Sequence, residues 1–131
     1  MTDLHAVLDT NVIASALLSP LGSPAKVFRM FLDGSLTMVI SDGILEEYRD
    51  VLTRPKLRIS REDLDILFTA IEQHGLRVLP VPSKNEMIDE DDRIFYDTAH
   101  AVSAFLVTGN KRHYPNESCI LTPVEFLDRI R

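Results

Sequence analysis

The sequence predicts an α/β fold: a three-layer α/β/α sandwich with a central parallel sheet of four to five strands. Three observations carry this. Short, nearly all-apolar runs such as Leu4–Leu8 read as strands buried on both faces, as in parallel sheets covered by helices on each side. These runs alternate with longer stretches of helical periodicity, and no hairpin signal joins any two of them. Acidic residues then recur at strand ends and helix starts, which share one edge of such a sheet, the edge where ligands usually bind.

Taken in order, Leu4–Leu8 is the first strand and Val12–Leu18 a helix, with Pro20, Gly22 and Pro24 marking the turn beyond it. Ser23 and Pro24 read as an N-cap with proline at the first helical position. Val27, Phe28, Phe31 and Leu32 form the apolar stripe of that helix, up to Gly34, and offer a candidate contact surface for a second copy. Leu36–Ile40 is the second strand. Ser41 and Asp42 open a helix that carries Ile44, Leu45, Tyr48, Val51 and Leu52 and stops before Pro55. Ser60 starts another, with Leu64, Leu67, Phe68 and Ile71 inward and Gly75 as its stop. Leu76–Val81 reads as a third strand, ended by Pro80 and Pro82. From about Asp91 a helix places Phe95, Ala99, Val102 and Leu106 on one face, in conflict with a strand at Phe105–Thr108. Ile120–Leu121 is a last short strand, and Thr122-Pro123-Val124-Glu125 is a capping box that launches the terminal helix.

A chain of 131 residues, 45% apolar and 26% charged, forms one domain spanning 1–131 with a sizeable core. The lone Cys119 rules out an intramolecular disulfide and a Cys-based zinc site, and is compatible with a reducing cytosol. No apolar run reaches the ~20 residues of a membrane-spanning helix. No secretory signal is visible, so a cytoplasmic location is expected. Met1 leads directly into a strand, as expected of a chain little trimmed at its start. The net charge of −6 argues against a protein that coats nucleic acid, but it does not exclude a nuclease whose acidity is partly its own metal site.

The chemistry is concentrated in those acidic positions. Asp9 closes the first strand, and Thr10 and Asn11 can orient its carboxylate, although Asp9 or Thr10 also reads simply as an N-cap. Glu46 and Glu47 diverge on their helix. Glu47 borders the apolar face and is the better candidate, while a solvated pair beside Arg49 is the plain alternative. In Asp89-Glu90-Asp91-Asp92, Asp92 points along the buried stripe, Asp89 or Asp91 can cap the helix, and Asp97 lies well around it. Two carboxylates ~4 Å apart repel by ~4 kcal/mol at an effective dielectric of ~20. Such a cluster must be protonated, paired or neutralised by a cation. Thr108 and Asn110 end a later strand, where Asn110 can bind water or hold a carboxylate. Lys111, Arg112 and His113, with Tyr114, form a compact basic and aromatic stretch that can grip a phosphate backbone and a base. Arg93 can assist in orienting that backbone. His5, His74 and His100 lack metal-ligand spacing and receive no role. A phosphatase of the haloacid-dehalogenase type also begins with Asp at a strand end, but Asn11 stands where its second Asp belongs.

In sum of order and spacing, the chain resembles the PIN-domain family, and within it the small VapC-like ribonucleases that are toxins of prokaryotic toxin–antitoxin modules. The resemblance runs from Leu4 to about Leu127. It rests on Leu-Asp-Thr-Asn-Val at 8–12, the Glu-Glu-Tyr helix within 41–52, Asp-Glu-Asp-Asp-Arg-Ile-Phe-Tyr-Asp-Thr-Ala at 89–99, Leu-Val-Thr-Gly-Asn at 106–110 and Leu-Thr-Pro-Val-Glu-Phe-Leu at 121–127. It implies an endoribonuclease that hydrolyses RNA phosphodiesters with Mg²⁺ or Mn²⁺, held by Asp9, Glu47 and Asp92 with help from Asp89. It also implies an antitoxin partner and a homodimer. The family often has a fourth Asp where this chain has Asn110, which removes one charge while keeping a group that positions water. The competing class is a non-catalytic PIN-like module that binds RNA or protein, and a small metal-dependent phosphatase is more remote.

Overall fold

The computed structural model describes residues 4–130. Its core is a five-stranded, wholly parallel sheet in the order β3-β2-β1-β4-β5, flanked by helices in an α/β/α arrangement. The strands are β1 (His5–Leu8), β2 (Thr37–Ile40), β3 (Leu76–Arg77), β4 (Phe105–Val107) and β5 (Ile120–Leu121). The helices are α1 (Thr10–Leu18), α2 (Ser23–Leu32), α3 (Asp42–Leu52), α4 (Arg61–His74), α5 (Arg93–Ala101) and α6 (Pro123–Arg129). Short 3-10 turns lie at Pro55–Leu57, Glu90–Asp92 and Lys111–His113.

The apolar strands form the centre of the core: Ala6, Val7, Leu8, Met38, Val39, Leu106 and Val107 are all essentially inaccessible. Helix α5 lies on β1, β2 and β4 and meets α3, while α1, α2 and α6 pack in succession. Local signals set the helix starts. Ser41 Oγ accepts from the Ile44 amide, and Ser60 Oγ accepts from the Asp63 amide. The capping box at Thr122 and Glu125 closes in both directions, at 3.2 and 2.9 Å.

Four expectations change. The third strand ends at Arg77 rather than Val81, leaving Leu79 and Val81 exposed. Pro80 and Pro82 lack the amide protons a ladder needs. The helix before β4 stops at Ala101, and Ser103 takes a positive φ of 52° to turn the chain. Leu106 therefore belongs to the sheet, and Val102 is 41% exposed. Ser23 makes no capping bond, since it is already the first residue of α2 and Gly22 stands at the N-cap. Most of the apolar stripe of α2 is spent inside: Val27, Phe28 and Phe31 are buried, and of the Val27–Leu32 stripe only Leu32, 45% exposed, is left for a contact with another copy.

The strand order fixes where a ligand can sit. From β1 the chain adds β2 and β3 on one side, then crosses to add β4 and β5 on the other. The reversal falls between β1 and β4, and in open parallel sheets the crevice beyond the strand C-termini at such a point is the binding site. Asp9 and Thr108 are the first residues past those two strands.

Candidate active site and metal centre

Asp9 is 6% exposed, and its amide donates to the Val107 carbonyl at 2.9 Å, so the β1–β4 ladder continues through it. Thr108 Oγ1 donates to Asp9 Oδ2 at 2.8 Å, and the Tyr114 hydroxyl donates to the same oxygen at 2.9 Å. Asp9 stands at the N-cap of α1 yet makes no side-chain capping bond, so capping does not explain its burial. Burial pushes its carboxyl above the ordinary 3.8, and the Thr108 and Tyr114 hydrogen bonds pull it part of the way back. Thr108 Oγ1 in turn accepts from the Asn110 amide at 3.0 Å. Asn11 Oδ1 accepts from the Gly109 amide at 3.0 Å, and a Cβ on Gly109 would come within 3.3 Å of that oxygen. Asn11 and Thr108 thus tie the two strand ends together.

Glu47 reaches the site because of the next residue. Tyr48 is fully buried and its hydroxyl donates to the Leu8 carbonyl, pinning α3 to the end of β1 beside Asp9. Burial raises the Glu47 carboxyl, and the charges of Asp50, Asp91 and Asp9 raise it further. Glu46 is exposed; it shares an outer groove with Glu47, Asp50 and Asp91. The third carboxylate arrives through a close helix contact. A Cβ on Gly43 would fall 2.8 Å from Ile94 Cγ1, so glycine lets α3 approach the start of α5, where Asp92 stands at the N-cap within electrostatic reach of Asp9. The Asp92 carboxyl is raised from 3.8 to about 6 by burial first, then by Asp9 and Asp89, while His113 opposes the rise. His113 Nδ1 lies 3.7 Å from Asp92 Oδ2.

The remaining expected residues are placed as follows. Asp89 is exposed and caps the Glu90–Asp92 turn by accepting from the Asp91 amide at 3.0 Å. Asn110 is exposed at the cleft rim, and Lys111 Nζ is paired with Glu125 at 3.0 Å. Arg112 is exposed, with no ion pair among the described residues. Tyr114 is no platform for a base: it is buried at 5% and serves Asp9. Arg93 does not face a substrate either. Its guanidinium is taken up by Glu90, by Ser83 and by the Asn85 carbonyl, clamping the segment before α5. Asp97 anchors the same segment through the Ser83 amide at 3.2 Å.

The donor set fits a hard divalent cation. Asp9, Glu47 and Asp92 offer only oxygen, all three carboxyls are raised chiefly by burial, the charge of Asp9 adds to the rise at Glu47 and at Asp92, and the buried Thr10 Oγ1 beside Asp9 has no partner. Their ligand atoms do not all fall within 4.8 Å of one another, a spread that only an ion keeping several of its waters would bridge. Tyr114→Phe tests the support beneath Asp9. Removing that donor should lower Mg²⁺ affinity about tenfold, read as a weaker thermal shift in a Mg²⁺ titration. Unchanged affinity would mean that Thr108 alone sets the Asp9 carboxylate.

Comparison with known proteins agrees with this fold. Residues 5–112 match the PIN domain family model. An uncharacterized protein of Methanocaldococcus jannaschii is 32% identical over 111 residues, 82% of this chain and 72% of that protein. Among solved structures the fold is similar to the crystal structure of VapBC2 from Rickettsia felis bound to a DNA fragment from their promoter. There the TM-score is 0.54 with 24% identity, over 90% of this chain and 97% of that one. A family match running from the first strand through the Lys111 turn, on a fold with these carboxylates at its switch point, has one consequence: the chain belongs to the PIN-domain family.

Proposed function

We propose that this chain is a Mg²⁺- or Mn²⁺-dependent endoribonuclease that hydrolyses RNA phosphodiester bonds, acting in the cytoplasm as the toxin of a toxin–antitoxin module. The observation that carries the reading is the cleft at the switch point. Asp9 lies there with Glu47 and Asp92 each within electrostatic reach of it, all three carboxyls have raised proton affinity, and His113 lies 3.7 Å from Asp92. Asp9, Glu47 and Asp92 hold the cation, with Asp89 beyond Asp92. A bound divalent cation would supply two things: a lowered pKa for water, so that hydroxide is available as the nucleophile at phosphorus, and positive charge to offset what develops on the phosphate.

The rest is done by the chain. Thr108 and Tyr114 fix the Asp9 carboxylate, and burial keeps the Tyr114 phenol neutral, so it donates rather than repels. Asn110 at the rim positions water. Arg112 meets the RNA backbone from the exposed turn, with Lys111 and His113 beside it, recognition that reads charge more than sequence. The antitoxin finds support in the VapBC2 likeness and in the exposed Leu21, Leu79, Val81 and Ile88, apolar side chains that a partner would cover. Among the described residues no helix is long and apolar enough to cross a membrane.

The test is cleavage of a structured RNA mixture with Mg²⁺, with Mn²⁺ and with a chelator. Cutting is expected with either metal and none with the chelator; cutting that survives chelation would sink the proposal. Asn110 favours a second reading, a PIN-like module that binds without cutting, because it withholds the fourth carboxylate. Such a binder should show no Mg²⁺-linked stabilisation, which a thermal titration reads directly.

A further inference from the structure

A second group of ligating side chains lies where α5 ends and β5 begins. His100 on α5 places Nε2 2.7 Å from Glu117 Oε1, and Cys119 Sγ completes a trio whose ligand atoms all lie within 4.8 Å of one another. It is the one such group of three among the described residues. None of the three belongs to the carboxylate cleft. We propose that His100, Glu117 and Cys119 form a second metal site, selective for a thiophilic divalent cation such as Zn²⁺, with one coordination position left open.

The arrangement around the trio is that of supported ligands. The Tyr96 ring packs against the His100 ring, tilted by 43° with 4.3 Å between centroids, which orients the imidazole. The Tyr96 hydroxyl donates to Glu117 Oε2 at 2.5 Å and accepts from Asn85 Nδ2 at 3.0 Å. The second carboxylate oxygen is thereby occupied, and Oε1 is left toward His100 and Cys119. Outer partners of this kind are what hold metal ligands in place. Backbone geometry holds the thiol, since Cys119 O accepts from the Leu106 amide at 2.9 Å, fixing the residue at the mouth of β5. His100 and Glu117 are 48% and 29% exposed, so an ion has a way in.

The donor types decide the cation. One nitrogen, one carboxylate oxygen and one sulfur suit Zn²⁺ in a tetrahedral site, whereas Mg²⁺ takes oxygen ligands. The trio therefore does not compete with the cleft for the same metal. Binding needs the His100–Glu117 hydrogen bond to open slightly and the Cys119 proton to leave to solvent. The ion would staple the end of α5 to the segment that runs from Tyr114 to β5. Sequence spacing excluded a Cys-based zinc site and gave His100 no role. A mixed trio with one thiol, drawn from residues 100, 117 and 119, escapes that reasoning because the helix end and the strand start meet only in the fold.

The experiment is a titration of the full chain with Co²⁺, read by thiolate-to-metal absorption, and with Zn²⁺ by competition against a chromophoric chelator. One equivalent with a thiolate band is expected, undiminished by excess Mg²⁺. Cys119→Ser should abolish the band, and His100→Gln should weaken affinity at least tenfold. Tyr96→Phe, which keeps every ligand and the tilted ring contact, should cost about tenfold. An Asp9→Asn/Asp92→Asn double variant should bind as the wild type does, which separates this site from the cleft whether or not the nuclease reading stands. Absence of a thiolate band, or its retention in His100→Gln at full affinity, would overturn the site and leave an ordinary His–Glu–Tyr hydrogen-bond chain. Loss of Zn²⁺ binding in the cleft double variant would equally overturn it.

Discussion

Asp9→Asn should lower metal-dependent RNA cleavage on the order of 10²–10³-fold while leaving the fold intact, the range expected when one preorganised charge is withdrawn from a phosphoryl-transfer site. The structure explains why the fold should survive. Both hydroxyls that hold Asp9, from Thr108 and Tyr114, converge on Oδ2. An Asn whose amide oxygen takes that position accepts the same two bonds with its two lone pairs. What it loses is the negative charge offered to a cation. Asp9→Ala is the informative contrast. It leaves two buried hydroxyls without their acceptor, at about 1–3 kcal/mol each, so the protein should lose stability as well as activity. The measurements are cleavage rate and chemical denaturation of both variants beside the wild type. A fully active Asp9→Asn would remove Asp9 from the metal site. An Asp9→Asn as unstable as Asp9→Ala would make Asp9 a packing residue.

The parts of this architecture that were legible in the sequence are those written locally. Apolar runs located β1 and β2, side-chain oxygens at Ser41, Ser60 and Thr122 marked helix starts, and the position of Asp9 after a buried strand marked the ligand edge. Separation of Glu46 from Glu47 followed from helical geometry, and the structure places Glu47 within electrostatic reach of Asp9. What was illegible depends on tertiary contact. Tyr48 reaches back 40 residues to Leu8, and Tyr114 reaches back 105 residues to Asp9. No spacing rule connects residues so far apart, so a tyrosine in a basic stretch read as a surface aromatic. Arg93 misled in the same way, because a cation near an acidic cluster looks like a substrate contact until its hydrogen-bond donors are followed to Glu90, Ser83 and Asn85. The β3 error was one of weighting: apolar Leu79 and Val81 outvoted the two prolines beside them.

Asp92→Asn should stabilise the metal-free protein at neutral pH, and the gain should vanish in acid. The sign follows from the direction of the shift. Asp92 is raised from 3.8 to about 6, so the folded state holds this proton more tightly than the unfolded chain does. Its contribution to stability is fully present below about pH 4 and is lost as pH rises through 6. Above that the carboxylate is ionised in a cleft that disfavours it, at a cost of roughly 1–2 kcal/mol once solvent screening is allowed for. Asp9 and Glu47 shift in the same direction, so the three together should make the metal-free wild type more fragile at pH 7 than at pH 5. Asn at 92 removes one of those charges, and a Tm gain of roughly 5–10 °C at pH 7 is expected without metal, shrinking to little at pH 4.5. Saturating Mg²⁺ should reverse the order, because the cation rewards the carboxylate that the empty fold penalises; at about a hundred times Kd it adds ~2.7 kcal/mol to the wild type. Thermal denaturation at the two pH values, with Mg²⁺ and with chelator, measures all of this. A variant less stable than the wild type at pH 7, or a gain that persists unchanged at pH 4.5, would mean that Asp92 is held by favourable contacts rather than strained by its neighbours. That pattern, weakest where the carboxylates are ionised and restored by a cation, is what a site whose burial cost is offset by metal binding would show.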